Sequence, residues 1–274
     1  MGLKEKVIAG ILIFFASAVG FAAETTAATK LTITGSSTIA PLMTEVAKKY
    51  ESLHPGVRVD VQSGGSARGV SDARKGTADI GMVSRKLGDE EKDLVGYAIA
   101  KDGVCIILNK ANSVQELADQ QIIDIYTGKI TNWKAVGGKD APITVVNKAE
   151  GRSTLELFLH YFKLKNSDIK ASVVIGDNEQ GIKTVAGNPN AIGYVSVGTA
   201  EYSEKNKVAI KTLPTGGVAA TTKNVELEKF PFSRPLNLVT FGKVGPLAQD
   251  FIKFATSKEV APLIEEQYFV PLKK

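Results

Sequence analysis

The sequence predicts an α/β protein made of two lobes, and three features of the chain lead to this prediction. Short runs rich in valine and isoleucine alternate with segments of helical periodicity, which is typical of parallel sheets covered by helices on both faces. This alternation occurs twice, once on each side of a long extended segment at 97–109. With 274 residues, the chain is also long enough for two modest domains.

The first half of the chain shows a β-α-β-α-β order. A short strand at 31–34 precedes a helix over 38–53, in which apolar residues recur at helical spacing until a His-Pro-Gly turn ends it. Valines alternate along a second strand at 57–61. A helix over 66–75 and a strand at 78–83 complete this half, so that a parallel sheet is expected there.

The second half repeats the alternation after the extended segment. Strands are predicted at 143–146, 172–175, 191–195 and 236–241. Helices are predicted within 114–126, which holds two short ones, and over 151–163, 178–186, 246–256 and 258–267. The stretch from 206 to 235 contains two adjacent glycines and three prolines, so it is predicted to be irregular.

The two halves are expected to form lobes joined by a hinge. Chain crossings near 108–112 and 212–236 would place lobe I at 24–110 plus 230–274 and lobe II at 111–229. Ligands of open α/β sheets bind outside the carboxyl ends of the strands, so a cleft between the lobes is the expected ligand site.

Residues 1–23 are typical of a secretory signal peptide. Two lysines form a charged start, 7–21 is an apolar run, and small residues follow it. Cleavage is expected after Ala22 or Ala23, with Ala28 as a second option. The alternative is an uncleaved anchor, but the apolar run is short for a membrane span of ~20 residues. A soluble, exported, periplasmic protein is therefore the expectation.

Composition and charge exclude several classes of protein. The net charge is +5 and falls to about +4 without 1–23, because that segment carries two lysines and one glutamate. The charges are scattered along the chain, so a nucleic-acid surface is not expected. Cys105 is the only cysteine, which excludes an internal disulfide, and its apolar strand indicates inert packing. The two histidines and scattered carboxylates suggest no metal site, and no cofactor is expected.

Four short polar segments are rich in hydroxyl groups and cations, and three of them open predicted helices. Helix N-termini carry unpaired N–H groups and a partial positive charge, so a cation placed there is unfavourable unless an anion binds. The pattern therefore predicts a site for a small oxyanion. The candidate ligands of that anion are Ser36, Ser37, Thr38, Ser66, Arg68, Ser84, Arg85, Lys148, Arg152, Ser153 and Thr154.

Each of these segments also has an interpretation without a ligand. Serine and threonine are common N-caps, and a glycine pair before Ser66 permits a flexible turn. Arg85 can pair with Asp89 or Glu90. Glu150 can neutralise its basic neighbours. Three hydroxyls in succession after a glycine exceed what one helix cap needs, so the ligand interpretation is favoured for the first segment.

Signatures of enzymes are missing from the sequence. Ser66 does not lie in a Gly-x-Ser-x-Gly elbow, and the Gly-Lys pairs at 128–129 and 138–139 lack the rest of a phosphate-binding loop. His54 precedes a proline in a turn and His160 lies in an amphipathic helix, so neither indicates a catalytic triad. A binding protein is favoured over an enzyme.

Four motifs resemble the PstS-type phosphate-binding proteins of ABC uptake systems. They are GSSTIAP at 35–41, ADIGMVSR at 78–85, IYTGKITNW at 125–133 and AIGYV at 191–195. The resemblance extends over nearly all of the chain after the signal peptide. It implies the type II periplasmic-binding-protein fold, in which crossover hinge strands join two α/β lobes and the ligand cleft lies between them.

The resemblance also implies roles for particular residues. Family members hold a dehydrated phosphate with hydroxyls, backbone N–H groups and an arginine. By position, Ser37 would donate its hydroxyl and Thr38 its backbone N–H, while Ser66 and Thr154 match family ligands.

The sequence departs from the family pattern at two places. Lys148 stands where the family arginine is expected and Arg152 where a serine is expected, which suggests that Arg152, together with Arg85, supplies the guanidinium. Ser84 occupies the position of an aspartate that accepts the proton of HPO₄²⁻. Ser84 itself, Glu150 or a backbone carbonyl is then the expected acceptor.

The resemblance implies a monomeric receptor that captures inorganic phosphate and delivers it to the membrane permease of an ABC transporter. One alternative is a receptor for sulfate, molybdate or arsenate. Another is an exported phosphoester hydrolase or an adhesion protein built on the same scaffold, because a fold by itself does not define a function.

Overall fold

The structure is a computed structural model that describes residues 29–273. The predicted signal peptide lies outside these residues. The strands are β1 (Thr29–Gly35), β2 (Val57–Ser63), β3 (Ile80–Val83), β4 (Leu94–Asn109), β5 (Thr144–Lys148), β6 (Val173–Ile175), β7 (Ala191–Ser196), β8 (Ile210–Thr212), β9 (Ser233–Phe241) and β10 (Val270–Pro271). The helices are α1 (Ala40–Leu53), α2 (Ser66–Lys75), α3 (Asp119–Tyr126), α4 (Ser153–Phe162), α5 (Asn178–Ala186), α6 (Val197–Lys205), α7 (Thr222–Glu226), α8 (Pro246–Ala255) and α9 (Ala261–Glu266).

One long strand, β4, connects two sheets, each of which contains a set of parallel strands. The strands are hydrogen-bonded in the order β2-β1-β3-β9-β4-β7-β5-β6, and β8 and β10 also pair with β4. β1 is parallel to β2 and β3, whereas β5 is parallel to β6 and β7. The first part of β4 pairs antiparallel with β9 as far as Gly103, and the next part pairs with β7 from Val104 to Leu108. β4 therefore passes from one sheet into the other.

The apolar residues form two large cores, one on each sheet. One core draws its buried residues from 31–100 and 236–269. The other draws them from 104–232, together with Val270. Each core packs helices against mostly parallel strands, as alternating strand and helix patterns require. The predicted fold of two α/β lobes is confirmed.

Some elements differ from those predicted. The segment 114–126 holds a single helix, α3, because the residues before Asp119 adopt no regular secondary structure. The segment predicted to be irregular contains β8 and α7, and α6 was not predicted. α6 contains glycine, threonine and serine, which are poor helix formers. Its helical conformation is stabilised by the Ser196 side chain, which caps the helix by accepting a hydrogen bond from the N–H of Thr199. The burial of Val197 and Ala200 stabilises it further.

Gly35 ends β1 and determines the path of the polar turn that follows. Its φ is +132°, and a Cβ at this position would lie 2.4 Å from the carbonyl oxygen of Met82 on the neighbouring strand. Only glycine avoids that clash and adopts this backbone conformation readily. The turn at 36–38 is thereby held against the carboxyl end of β3. None of the described helices is long and apolar enough to cross a membrane.

Candidate anion-binding site

A buried ion pair lies where β4 and β9 run side by side. Asp102 and Arg234 are register partners in the two strands and are only 2% and 3% exposed. Arg234 donates from Nη2 and Nε to Asp102 Oδ2, at 2.8 and 3.0 Å. The other carboxylate oxygen accepts from Ser196 Oγ at 2.9 Å and from the N–H of Gly198 at 3.3 Å. Asp102 therefore holds the guanidinium in one orientation.

The guanidinium of Arg234 contacts hydroxyl groups from three different turns. Nη2 donates to Thr38 Oγ1 at 3.1 Å. Nη1 donates to Ser84 Oγ at 3.4 Å and to Thr154 Oγ1 at 3.3 Å. Thr38 and Ser84 follow β1 and β3, whereas Thr154 lies in the first turn of α4. Arg234 thus brings polar groups from both sheets to one point.

Three buried serines extend this cluster on the side of the first sheet. Ser36 Oγ donates to Ser84 Oγ at 2.9 Å and accepts from the N–H of Thr38 at 3.2 Å. The N–H of Ser84 donates to Ser66 Oγ at 3.1 Å, and Ser66 is the first residue of α2. Ser37 is half-buried in the same turn. The structure therefore brings the sequence candidates Ser36, Ser66 and Ser84 together in one cluster.

Lys148 is the last residue of β5 and is 2% exposed. Its Nζ donates to the carbonyl oxygen of Asp177 at 2.6 Å and to Asn178 Oδ1 at 3.2 Å. The pKa of Lys148 is lowered to about 7, chiefly by burial and also by the cations Arg234 and Arg152, against an opposing effect of Asp177. An anion beside this ammonium group would raise its pKa again, so the position favours an anionic ligand.

The N-terminus of α4 faces the same cluster. Ser153 is 3% exposed, and its Oγ has no hydrogen-bond partner among the residues that the structure describes. Buried polar groups are nearly always hydrogen-bonded, and an anion at this helix N-terminus would give the Ser153 hydroxyl a partner. α5 begins beside it at Asn178, whose Nδ2 donates to Thr38 Oγ1 at 3.2 Å.

Arg152 lies at the edge of this cluster rather than at its centre. It is the N-cap residue of α4, and its side chain crosses toward the first sheet. A Cβ at Gly65 would lie 2.9 Å from Arg152 Cδ, and a Cβ at Gly176 would lie 3.3 Å from Nη2. The N–H of Ala67 donates to the carbonyl oxygen of Gly151 at 3.2 Å. The turn that carries Arg152 therefore covers the cluster where the two sheets meet.

Two arginines among the sequence candidates are bound to protein carboxylates instead. Arg68 is exposed and pairs with Asp72 at 3.0 Å. Arg85 donates to both oxygens of Glu91, at 2.6 and 2.8 Å, and also pairs with Glu156 of α4. The structure does not bring either guanidinium to the hydroxyl cluster.

The sequence patterns did not reveal three residues of the site, namely Asp102, Asn178 and Arg234. A partial signal for Asp102 and Arg234 was present, because each charge lies in a strand made mostly of apolar residues. A buried charge is costly unless it is paired, so one acid and one base in two apolar strands indicate a pair. Asn178 gave no signal beyond its position at the start of a predicted helix.

Two lobes that meet over a buried cluster of hydroxyls, cations and helix N-termini define a two-lobe solute-binding protein. The chain matches the PBP superfamily domain over residues 21–259. It is 30% identical over 254 residues to the phosphate-binding protein PstS of Bacillus subtilis, covering 91% of this chain and 83% of that protein.

Among solved structures, too, the chain is similar to phosphate-binding proteins. A putative phosphate ABC transporter substrate-binding protein with bound phosphate from Clostridium perfringens is 33% identical, with a TM-score of 0.82 over 89% of this chain and 100% of that one. An ABC-type phosphate transport receptor from Vibrio cholerae is 32% identical, with a TM-score of 0.73 over 88% of this chain and 100% of that one. The chain belongs to the PstS family of phosphate-binding proteins within the PBP superfamily. Within 29–273, no group of three or more side chains suited to a metal ion occurs.

Proposed function

We propose that this protein, after export and removal of residues 1–23, captures inorganic phosphate between its lobes and delivers it to the membrane permease of an ABC transporter. The observation that carries the proposal is the convergence of Arg234 and the N-terminus of α4 on one buried set of hydroxyls, to which Lys148 is linked through Asn178. Its relatives are binding proteins of transport systems, which supports binding without a chemical reaction.

The charges of the cluster suit a dianion. Asp102 balances Arg234, while Lys148 and Arg152 contribute positive charge near the N-terminus of α4. A dehydrated phosphate would receive charge-assisted hydrogen bonds from the third N–H of Lys148 and from Arg234 Nη1, which would exchange its contacts with Ser84 and Thr154 for the ligand. The hydroxyls of Ser153 and Thr154 would add neutral hydrogen bonds. Charge-assisted bonds are about twice as strong as neutral ones, so the two cations supply most of the affinity.

We infer that the two apolar cores mark the two lobes. The boundary between the cores falls near Gly103 in β4 and near Ser233 in β9, so these two strands carry the chain from one lobe to the other. The second position lies within the crossing predicted at 212–236, and the first lies shortly before the crossing predicted at 108–112. Bending of β4 and β9 would open the cleft.

Calorimetric titration of the mature, phosphate-stripped protein with phosphate tests the proposal. Saturable one-to-one binding is expected, with no release of phosphate from aryl phosphate esters in the presence or absence of divalent metals. Phosphate ester hydrolysis would favour the hydrolase alternative. A protein without saturable oxyanion binding would favour an adhesion role and contradict the proposal.

The ion pair between Arg85 and Glu156 links the two lobes and is expected to slow the release of phosphate. Arg85 is anchored in the first lobe by Glu91, while Glu156 lies in the first turn of α4. Partly exposed ion pairs are worth up to about 1 kcal/mol, so Glu156→Gln should speed dissociation by less than about tenfold with little change in the association rate.

Stopped-flow measurement of phosphate dissociation checks this expectation. Glu226→Gln is the matched control, because Glu226 pairs with Lys223 inside a single helix and does not link the lobes. Equal dissociation rates for Glu156→Gln and the unmodified protein would show that the pair does not hold the lobes together.

A further inference from the structure

The side chain of Asn178 lies between the two lobes, beside the hydroxyl cluster. Asn178 is the first residue of α5 and is 5% exposed. Its amide lies between Lys148, at the end of β5, and Thr38, in the turn after β1. β5 and α5 contribute to the second core, whereas β1 and α1 contribute to the first. The amide therefore contacts a cation on its own side of the cleft and a hydroxyl on the other side.

The hydrogen bonds of Asn178 determine which way its amide faces. Lys148 Nζ lies 3.2 Å from one end of the amide. The ammonium group of a lysine only donates, so that end is the amide oxygen. The two hydrogens of Nδ2 are directed to Thr38 Oγ1 at 3.2 Å and to Thr199 Oγ1 at 3.4 Å. The Asn178 side chain therefore has no hydrogen left to donate to an anion, and it acts on one through its neighbours.

The amide fixes the ammonium group of Lys148. Nζ carries three hydrogens. One is donated to the carbonyl oxygen of Asp177 at 2.6 Å and a second to Asn178 Oδ1 at 3.2 Å. Because the group is tetrahedral, the two acceptors that hold two of its hydrogens also fix the direction of the third. The third hydrogen remains available to a ligand in one defined direction.

The same amide fixes the hydroxyl group of Thr38, which is 3% exposed. Its Oγ1 accepts from Asn178 Nδ2 at 3.2 Å and from Arg234 Nη2 at 3.1 Å, which uses both lone pairs. The hydroxyl hydrogen has no acceptor among the residues that the structure describes. An anion in the cluster would accept it. Thr38 is thereby held as a donor, in the lobe opposite Lys148.

We infer that Asn178 is a positioning residue, which directs one hydrogen of Lys148 from one lobe and one hydrogen of Thr38 from the other lobe at the same anion. The inference rests on the proposed phosphate capture and assigns a role in that same site. The bond between Asn178 and Thr38 crosses the cleft, so it forms only where the lobes meet. The full set of donors is assembled only in the closed protein, and Asn178 should therefore slow the release of the anion rather than speed its capture.

Replacement of Asn178 with aspartate tests the inference, because it keeps the size of the side chain and changes its bonding to Thr38. A carboxylate still accepts from Lys148 but has no hydrogen to donate, so the Thr38 hydroxyl would turn its own hydrogen toward the carboxylate. The anion would lose that donor and meet a like charge. In Asn178→Asp, phosphate affinity should fall by at least about a hundredfold. An acidic residue in the first turn of α5 is compatible with the helix dipole, so this variant is expected to fold.

Asn188→Asp is the matched control. Asn188 Nδ2 also donates to a threonine hydroxyl, Thr144 Oγ1 at 3.1 Å. Thr144 is the first residue of β5, whereas Lys148 is the last, so this pair lies at the far end of the strand from the cluster. The control should bind phosphate within about threefold of the unmodified protein. Thermal unfolding of each variant verifies that it is folded before binding is measured.

Thr38→Val, measured alone and together with Asn178→Asp, separates positioning from a general loss of structure. In the unmodified background the valine removes a donor to the anion, and calorimetric titration should show a loss of affinity of about ten- to a hundredfold. In the Asn178→Asp background the hydroxyl already points away from the anion, so the same change should cost less than about threefold. Losses that simply multiply would show that the two residues act independently and would overturn the inference.

The rate constants of binding provide a second measurement. Asn178→Ala removes the contacts of the amide without adding a charge. It should speed the dissociation of phosphate by about tenfold and leave the association rate within about twofold of the unmodified value. A loss confined to the association rate, or an unchanged affinity in Asn178→Asp, would overturn the inference and leave the proposed function intact. An unmodified protein that does not bind phosphate would contradict both.

Discussion

Replacing Arg234 with alanine is expected to abolish high-affinity phosphate binding and to destabilise the protein. The guanidinium links Thr38, Ser84 and Thr154 and is the charge-assisted donor at the centre of the site. Hydrogen bonds to charged groups contribute about 1.5–3 kcal/mol each, so losing two of them should weaken binding by about a hundredfold or more. Calorimetric titration measures this loss.

The expected loss of folding stability in Arg234→Ala has a different cause from the loss of phosphate affinity, and a second variant separates the two effects. Arg234→Ala leaves the charge of Asp102 buried and unpaired, at a cost of about 3–5 kcal/mol in the free energy of unfolding. The double variant Arg234→Met with Asp102→Asn removes both charges, while the asparagine oxygen still accepts from Ser196. This variant should recover much of the stability but none of the affinity. Recovery of affinity would show that Arg234 is not a ligand.

Phosphate affinity is expected to depend on pH through Lys148. In the ligand-free protein the pKa of Lys148 lies at about 7, and a bound anion raises it. Binding therefore takes up a proton above pH ~7, and affinity should fall with rising pH by at most about tenfold per pH unit. The Lys148→Arg variant corrects for the ionisation of phosphate itself, because a guanidinium stays charged over this range.

The measurement is the ratio of the dissociation constants of the unmodified protein and the Lys148→Arg variant between pH 6 and pH 9, a window of about three units around the shifted pKa. The ratio should rise with pH. A constant ratio would mean that Lys148 does not titrate in this window.

The free energy of unfolding of the ligand-free protein should rise with increasing pH, whereas phosphate affinity should fall. Burial lowers the pKa of Lys148 from 10.5 to about 7, so the unfolded chain binds more protons than the folded one between these values. Stability contributed by this group therefore rises as the pH increases through that window, and Lys148→Met should remove the effect. Urea unfolding at several pH values measures it.

The fold was largely predictable because it depends on periodicity. Apolar residues at helical spacing in α1 and alternating valines in β2 indicate their elements without reference to the rest of the chain. Elements with weak local preferences were not predictable. α6 and β8 form because they pack against the second core, and a local pattern does not contain that information.

The site was predictable where a turn and a helix start carry it. The segments at 36–38, at Ser66 and at 153–154 contain hydroxyls in recognisable positions, and the structure brings them together. Arg234 was not predictable as a site residue, because its position beside Asp102 depends on pairing between strands that are distant in sequence. For the same reason the sequence favoured Arg152 as the guanidinium donor, although the structure places Arg234 at the centre of the cluster.

The pairing of β4 with β9 has a consequence for how the anion leaves. If β4 and β9 bend as proposed, Asp102 and Arg234, which these strands carry, would lie close to the axis about which the lobes rotate. Points near a rotation axis move little. Opening would withdraw Thr38 on one side and Thr154 on the other while the anion stays beside Arg234. A transporter that pulls the lobes apart would then expose a stationary ion to solvent, and the ion would exchange its protein contacts for water one lobe at a time.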